Sequence, residues 1–130
     1  MDIRITSFGH LHGPAPVGAH ITLDLRHFRD PHFDPSLRTL TARDRRVIRA
    51  VKRTPGIEQL LAATVAQTQA YARSPGAGQH PLHVAVGCAG GRHRAGVTAY
   101  LLARRLRRRG HRVTLHHRDL HRPVVERAAA

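Results

Sequence analysis

The chain has 130 residues and a mass of 14.4 kDa, so we expect one domain; it is too short for a kinase, a TIM barrel or a two-domain dehydrogenase. Hydrophobic residues make up 41% of the sequence, which is enough for a core. The formal net charge of +14, with 12 histidines besides, indicates an anionic partner such as phosphate, a phosphosugar or a nucleic acid. Because Lys52 is the only lysine among 22 basic residues, a coding bias towards arginine explains the charge equally well.

The single cysteine and the N-terminal residues indicate where the protein acts. Cys88 has no partner for an internal disulfide, which suits a reducing compartment. The N-terminus has an acid at position 2 and no apolar core, so it is not typical of a signal peptide. No run of about 18 apolar residues occurs, so we expect no membrane partner. These observations predict a cytoplasmic protein.

Hydrophobic periodicity predicts four strands separated by loops and helices. The strands are expected at residues 3–8, 21–25, 83–86 and 112–116. Glycine and proline predict a loop over residues 9–18, and the two prolines of segment 29–35 exclude a regular helix or central strand there.

Three helices are predicted between these strands. A capping box from Thr41 to Asp44 opens the first helix, and Thr54 as N-cap with Pro55 at the first helical position opens the second. The third helix is expected over residues 93–109. The order strand, strand, helix, helix, strand, helix, strand predicts a single α/β domain, with a mostly parallel sheet of about four strands and flanking helices.

The segment 84–94 carries the clearest chemical signal. A buried strand ends in a glycine-rich turn, and the turn opens a helix beginning with Arg92, His93 and Arg94. Converging N–H groups, the positive end of the helix dipole and the basic side chains are suited to bind an anion. The turn also follows the carboxyl end of a strand, where open α/β sheets bind their ligands. Anion binding is therefore favoured over glycines that serve packing alone.

A Walker A loop is excluded because no lysine followed by serine or threonine closes the turn. Cys88 and Arg94 match the spacing of cysteine-dependent phosphatases, in which a thiolate attacks phosphorus and an arginine holds the oxygens. However, Gly87 replaces the usual histidine and Ala95 the usual hydroxyl residue. A buried, unreactive Cys88 is favoured, and a phosphatase is the alternative. Its general acid would be one of three aspartates, Asp30, Asp34 and Asp119.

A second alternative is an RNA-binding adapter that uses the basic helix 93–109. The candidate RNA contacts are Arg104, Arg105, Arg107, Arg108 and Arg118. The same arginines would also suit a solvated helix face, and aromatic residues for base stacking are scarce. His10 and His12 have no third ligand at a recognised spacing, so we expect no metal site.

Six sequence blocks that occur in order resemble the C-terminal domain of the RapZ family of RNase adapter proteins. The blocks are residues 5–9, 23–26, 30–32, 37–41, 87–94 and 116–120. The resemblance covers about residues 3–122, so we expect a domain over 1–122 and a flexible tail over 123–130. Family members usually carry an N-terminal P-loop domain; none is present in this sequence, so we expect a stand-alone domain with no cofactor.

The resemblance implies a regulatory α/β domain akin to a phosphofructokinase subdomain, with self-association and a pocket for glucosamine-6-phosphate. It also implies the binding of small regulatory RNAs. Together with the anion-binding turn, it gives these ligand-binding candidates: His32, Cys88, Ala89, Gly90, Gly91, Arg92, His93 and Arg94. We therefore expect the domain to sense a phosphorylated small molecule, an amino-sugar phosphate or inorganic phosphate, and not to catalyse a reaction.

Overall fold

A computed structural model describes residues 1–124, so most of the expected tail, residues 125–130, lies outside the described residues. Four parallel strands form one sheet in the order β2-β3-β1-β4. The strands are β1 (Asp2–Gly9), β2 (Ile21–Asp24), β3 (Leu82–Cys88) and β4 (Arg112–His117). The helices are α1 (Arg45–Lys52), α2 (Ile57–Ala72) and α3 (Arg94–Arg108). The predicted α/β domain with a parallel four-stranded sheet is confirmed.

The two central strands, β1 and β3, are buried along most of their length, which explains their apolar and small residues. Ile5 pairs with Val84 on one side and with Leu115 on the other. Helix α3 supplies much of the core, including the fully buried Val97 and Leu102. Within residues 1–124, no helix has both the length and the apolar character needed to span a bilayer.

The start of α1 differs from the predicted capping box. Asp44 is itself the N-cap, and its carboxylate accepts a hydrogen bond from the Arg46 N–H at 2.8 Å. Thr41 lies in the preceding turn, where its hydroxyl oxygen accepts from the Arg43 N–H at 3.3 Å. Aspartate is at least as good a cap as threonine, and its charge also suits the positive helix end, so the helix begins three residues later than predicted.

The start of α2 also needs a correction. Gly56, and not Thr54, is the N-cap, with a φ of 91° that glycine adopts without strain. A Cβ at this position would lie 2.9 Å from a ring carbon of Phe28. The buried Thr54 uses its hydroxyl to donate to the Ala50 carbonyl at 3.0 Å at the end of α1, so it does not cap the next helix.

Candidate functional site

A cavity of about 740 Å³ opens at the carboxyl ends of β2 and β3. One wall is the segment that follows β2, residues 26–33, and the opposite wall is the turn between β3 and α3. The two strands are parallel neighbours in the sheet, so the segments that follow them lie side by side at the same end of the strands. A cavity of this size falls within the range of small-molecule sites.

Seven of the eight candidate ligand-binding residues line this cavity. They are His32, Cys88, Ala89, Gly90, Arg92, His93 and Arg94. Gly91 lies behind the cavity wall, where its N–H donates to Cys88 Sγ at 3.2 Å. Its φ is 77°, and a Cβ would lie 2.9 Å from the Gly9 nitrogen, so Gly91 gives the turn its shape.

Main-chain N–H groups of the turn remain free to bind a ligand. Those of Gly90, Arg92 and His93 donate to no acceptor found within residues 1–124. The turn is nevertheless anchored, because the Arg92 carbonyl accepts from the Ala42 N–H at 2.8 Å. These amides precede the N-terminus of the 15-residue helix α3, whose dipole favours an anion.

Arg94, which is only 4% exposed, connects the two walls of the cavity. Its Nη1 donates to three carbonyls of the segment after β2, those of Leu25, Arg26 and Phe28, at 3.1, 3.3 and 2.9 Å. Its Nη2 donates to Asp30 Oδ2 at 3.2 Å. The buried Nε has no partner among the residues that the structure describes. Arg94 therefore holds the wall in place and keeps one donor unpaired.

His93 contributes hydrogen bonding to the cavity, whereas the sequence predicted a charge. Burial lowers the pKa of His93, so the ring is mostly neutral at pH 7. Its Nε2 donates to the Leu40 carbonyl at 2.7 Å, which leaves Nδ1 as an acceptor. The His32 ring faces it from the opposite wall, with 6.2 Å between the ring centroids.

Cys88 lies at the cavity wall with its thiol almost fully buried. Burial raises the pKa of the thiol, against the opposing effect of the Ala95 and Gly91 N–H groups. A Cβ on the preceding Gly87 would overlap the Phe8 ring, so the histidine typical of cysteine-dependent phosphatases has no space there. This environment favours a protonated, unreactive thiol.

Most cavity-lining residues of the segment after β2 were not predicted from the sequence. Those that line the cavity are Arg26, His27, Phe28, Arg29 and Phe33; Leu11, from the segment after β1, lines it as well. Their signal was a run of basic and aromatic residues directly after a predicted strand. Of the three aspartates considered as general acids, only Asp30 lines the cavity. Within residues 1–124, no three histidine, cysteine or acidic side chains are grouped closely enough to hold a metal ion.

The candidate RNA-contacting arginines lie at opposite ends of the strands: those of α3 lie near the start of β4, and Arg118 follows its end. At the C-terminal end of α3, Arg105 pairs with Glu58 at 2.5 Å, and Arg107 donates to the Val113 carbonyl at 2.9 Å. Arg118, after β4, instead donates to the Pro14 carbonyl at 2.7 Å and holds the loop that follows β1. Arg118 therefore does not join the α3 arginines in one surface.

Asp119 lies behind the glycine-rich turn between β3 and α3. Its fully buried carboxylate accepts the Gly9 N–H at 2.8 Å and pairs with Arg118 at 2.9 Å and Arg122 at 3.0 Å. Burial alone would raise the pKa of Asp119, but the hydrogen bonds from Arg118 and Gly9 outweigh it and lower the pKa. The ionised carboxylate therefore stabilises the fold.

We expect Asp119 to cause part of the acid sensitivity of the domain. A folded-state pKa below the ordinary value of 3.8 means that its contribution is present above that value and is lost as the pH falls through the folded pKa. Urea unfolding between pH 6 and pH 3 should show a steeper loss of unfolding free energy in the wild type than in Asp119→Asn. Asp2→Asn, an exposed change, is the control. Equal slopes for the wild type and Asp119→Asn would contradict this prediction.

Residues 1–121 match the family model of the RapZ C-terminal domain. The chain is 41% identical over 129 residues to a nucleotide-binding protein of Rhodospirillum centenum, a match that covers 94% of this chain and 37% of that protein. It is 36% identical to a nucleotide-binding protein of Desulforudis audaxviator, with 95% and 42% covered, and 38% identical to one of Thermobifida fusca, with 90% and 40% covered. The chain thus spans about two-fifths of the length of these curated relatives.

Proposed function

This chain belongs to the family of RapZ C-terminal domains, as its sequence blocks predicted, and from that membership we propose that it is a regulatory domain that binds a phosphorylated small molecule. The proposed ligand is an amino-sugar phosphate such as glucosamine-6-phosphate. The observation that carries the proposal is the set of unpaired N–H groups at Gly90, Arg92 and His93, beside the start of α3. Such amides hold phosphate oxygens without any reactive side chain.

The charge of the cavity supports an anionic ligand. Among residues 1–124, four arginines line it, Arg26, Arg29, Arg92 and Arg94, against the single carboxylate of Asp30. Arg26 Nη2 forms an ion pair with Asp24 Oδ2 at 2.7 Å, so its charge is compensated. Arg29 and Arg92 have no acidic partner within the described 124 residues. A half-enclosed site strengthens the attraction between these charges and a phosphate, because less water screens it.

We propose sensing and not catalysis, because the described residues that line the cavity include no activated nucleophile. The Cys88 thiol is buried with a raised pKa, so little thiolate forms at neutral pH. A phosphatase remains the alternative that an activity assay tests. It requires that Cys88→Ser abolish hydrolysis of a phosphate monoester, whereas a binding domain shows no hydrolysis and tolerates Cys88→Ala.

A thermal-shift titration tests the proposed function. Glucosamine-6-phosphate should raise the melting temperature, since a ligand at 100 times its Kd adds about 2.7 kcal/mol to the unfolding free energy. Arg92→Ala should weaken this response, and Arg46→Ala, which changes an exposed arginine on α1, should not. Inorganic phosphate and AMP form further arms, because the relatives are named nucleotide-binding proteins. No response to any phosphorylated compound would contradict the proposal.

RNA binding is a second candidate function, and its site would lie at the C-terminal end of α3, away from the cavity. Arg104, Arg105 and Arg108 line a pocket of about 110 Å³ together with Lys52 from α1, which concentrates positive charge there. Binding to RNA phosphates should fall strongly with salt, and alanine at these three arginines should weaken it without changing the phosphosugar response. Self-association, which the resemblance implies, stays a prediction.

A further inference from the structure

Strand β4 is the longer of the two edge strands of the sheet, with six residues against four in β2. It pairs with β1 on one side, in unbroken register, and its other side lies beside no strand within residues 1–124. We propose that this free edge, over residues 113–117, binds an extended acidic segment of a partner protein as a fifth strand. The proposal concerns a surface apart from the cavity and does not depend on the ligand proposed for the cavity.

Alternate residues of β4 direct their backbone N–H and C=O groups away from β1. Just beyond the strand, the Arg118 N–H donates to the Ser7 carbonyl at 2.9 Å, so the even-numbered residues of β4 face β1. Since neighbouring residues of a strand turn their backbone groups to opposite sides, those of Val113, Leu115 and His117 face outward. No backbone group within residues 1–124 pairs with them. The edge therefore offers donors and acceptors at the spacing of a further strand.

The usual protection of an edge strand is weak in β4. Proline, a bulge, a short length or a charged side chain normally prevents an edge from pairing with another chain. Residues 112–117 contain no proline, and their register with β1 shows no bulge. Among the described residues, the one side chain bonded to an outward backbone group is Arg107, whose Nη2 donates to the Val113 carbonyl at 2.9 Å. Arg107 is exposed, so an incoming strand can displace it at small cost.

The charges at the two ends of the edge favour an acidic partner. Arg107 lies at the start, and Arg43, from the turn before α1, is close enough to the end to act on the His117 ring. Both arginines are exposed, and neither has an acidic partner among residues 1–124. Between them, Val113 and Leu115 are half-buried on the face that packs against α3. A strand with an acidic residue at each end and an apolar residue between would complement this face.

Two other occupants fit the edge less well. A second copy of the chain would bring together two domains of net charge +14, and their repulsion opposes the contact. RNA would satisfy the arginines, but phosphate oxygens only accept hydrogen bonds, so they would leave the Leu115 and His117 carbonyls without donors. A polypeptide backbone supplies both kinds of group in the matching alternation.

Amide hydrogen exchange followed by NMR tests the proposal with a synthetic peptide. The probe is a capped peptide of about eight residues with the central sequence Glu-Thr-Val-Thr-Glu, which reads the same in either direction along β4. Its binding should slow exchange of the outward Val113, Leu115 and His117 amides about tenfold or more. The Thr114 and His116 amides, which already pair with β1, should keep their rates. A peptide with lysine in place of glutamate should not bind, and neither should an N-methylated version, which keeps the acids but lacks backbone donors.

Charge reversal at Arg107 tests the proposal from the side of the protein. Arg107→Glu should weaken binding of the acidic peptide roughly tenfold, the factor that one charge-assisted hydrogen bond contributes. The matched control is Arg45→Glu, which makes the same charge change at an exposed position of α1 and should keep the affinity. The peptide comparisons need only the wild type, so poor folding of Arg107→Glu does not prevent the test.

Several results would overturn the proposal. Absence of binding would do so, and so would equal binding of the acidic peptide and its N-methylated version, because charge alone would then explain the contact. Equal affinities of Arg107→Glu and Arg45→Glu would place the peptide elsewhere. Slowed exchange of the outward amides caused by a single-stranded RNA oligomer, or by a higher protein concentration alone, would assign the edge to another occupant.

Discussion

Replacing Arg94 by alanine should destabilise the domain by roughly 3 kcal/mol or more and abolish stabilisation by glucosamine-6-phosphate. The change leaves the Asp30 carboxylate without its cation and three carbonyls without their shared donor group. The segment after β2 would then lose its connection to α3, and one wall of the cavity would lose its shape. Urea unfolding measures the first effect, and thermal shift with the ligand measures the second.

Arg94→Lys separates the charge of this residue from its geometry. A lysine ammonium keeps the charge but has a single centre with three donors, so it does not reproduce the fork that spans three carbonyls and a carboxylate. We expect stability between those of the wild type and Arg94→Ala. Arg46→Ala is the control, because an exposed pair with Asp44 contributes less than about 1 kcal/mol. Equal stability of Arg94→Ala and Arg46→Ala would show that the buried contacts of Arg94 do not hold the wall.

The fold was predictable because its signals are local. Alternating residues identify the strands, and the glycine-rich turn between β3 and α3 identifies one wall of the cavity. The helix starts were harder to predict from the sequence, because Thr54 followed by Pro55 matches the usual pattern of an N-cap followed by proline although Gly56 is the actual N-cap of α2. Only the structure shows that the Thr54 hydroxyl is already bonded to Ala50 and that Gly56 has a positive φ. Competing local hydrogen bonds of this kind do not appear in a sequence pattern.

The second wall of the site was not predictable, because it depends on strand order. Nothing in the sequence states that β2 lies beside β3, so the basic run from Arg26 to Arg29 could not be joined to the turn after β3. The neutral state of His93 has a similar origin. It results from burial, which outweighs the opposing effect of a hydrogen bond to the Leu40 carbonyl, 53 residues away in sequence.

Two arginines illustrate the limit of charge as a predictor of binding sites. Arg94 was expected to bind phosphate and Arg118 to bind RNA, yet both donate to carbonyls of loops that the sheet brings close. A guanidinium has five donors, so it can hold irregular backbone together as well as bind an anion. Amino-acid composition does not distinguish an arginine that holds backbone together from one that binds an anion. Only the positions of the neighbouring carbonyls in the structure do so.

Gly87→Ala should destabilise the domain by roughly 3 kcal/mol, at the upper end of the usual cost of overpacking a core. The added methyl group would overlap the ring of Phe8, which is fully buried on the adjacent strand β1. Neither central strand can move aside without breaking the ladder between them. Urea unfolding should show a lower midpoint with an unchanged slope. The control for stability is Gly90→Ala, where a Cβ meets no protein atom within 4 Å, so the unfolding free energy should remain that of the wild type.

A double-mutant cycle links the effect of Gly87→Ala to the Phe8 ring. Phe8→Leu alone removes buried volume and should be destabilising, but it also opens space beside position 87. The double variant should therefore be more stable than the sum of the two single losses predicts, with a coupling of about 1 kcal/mol or more. Additive losses would mean that Gly87 is required for backbone reasons and not for space. In that case, the steric argument against a histidine before Cys88 would no longer stand, and the phosphatase alternative would regain a structural basis.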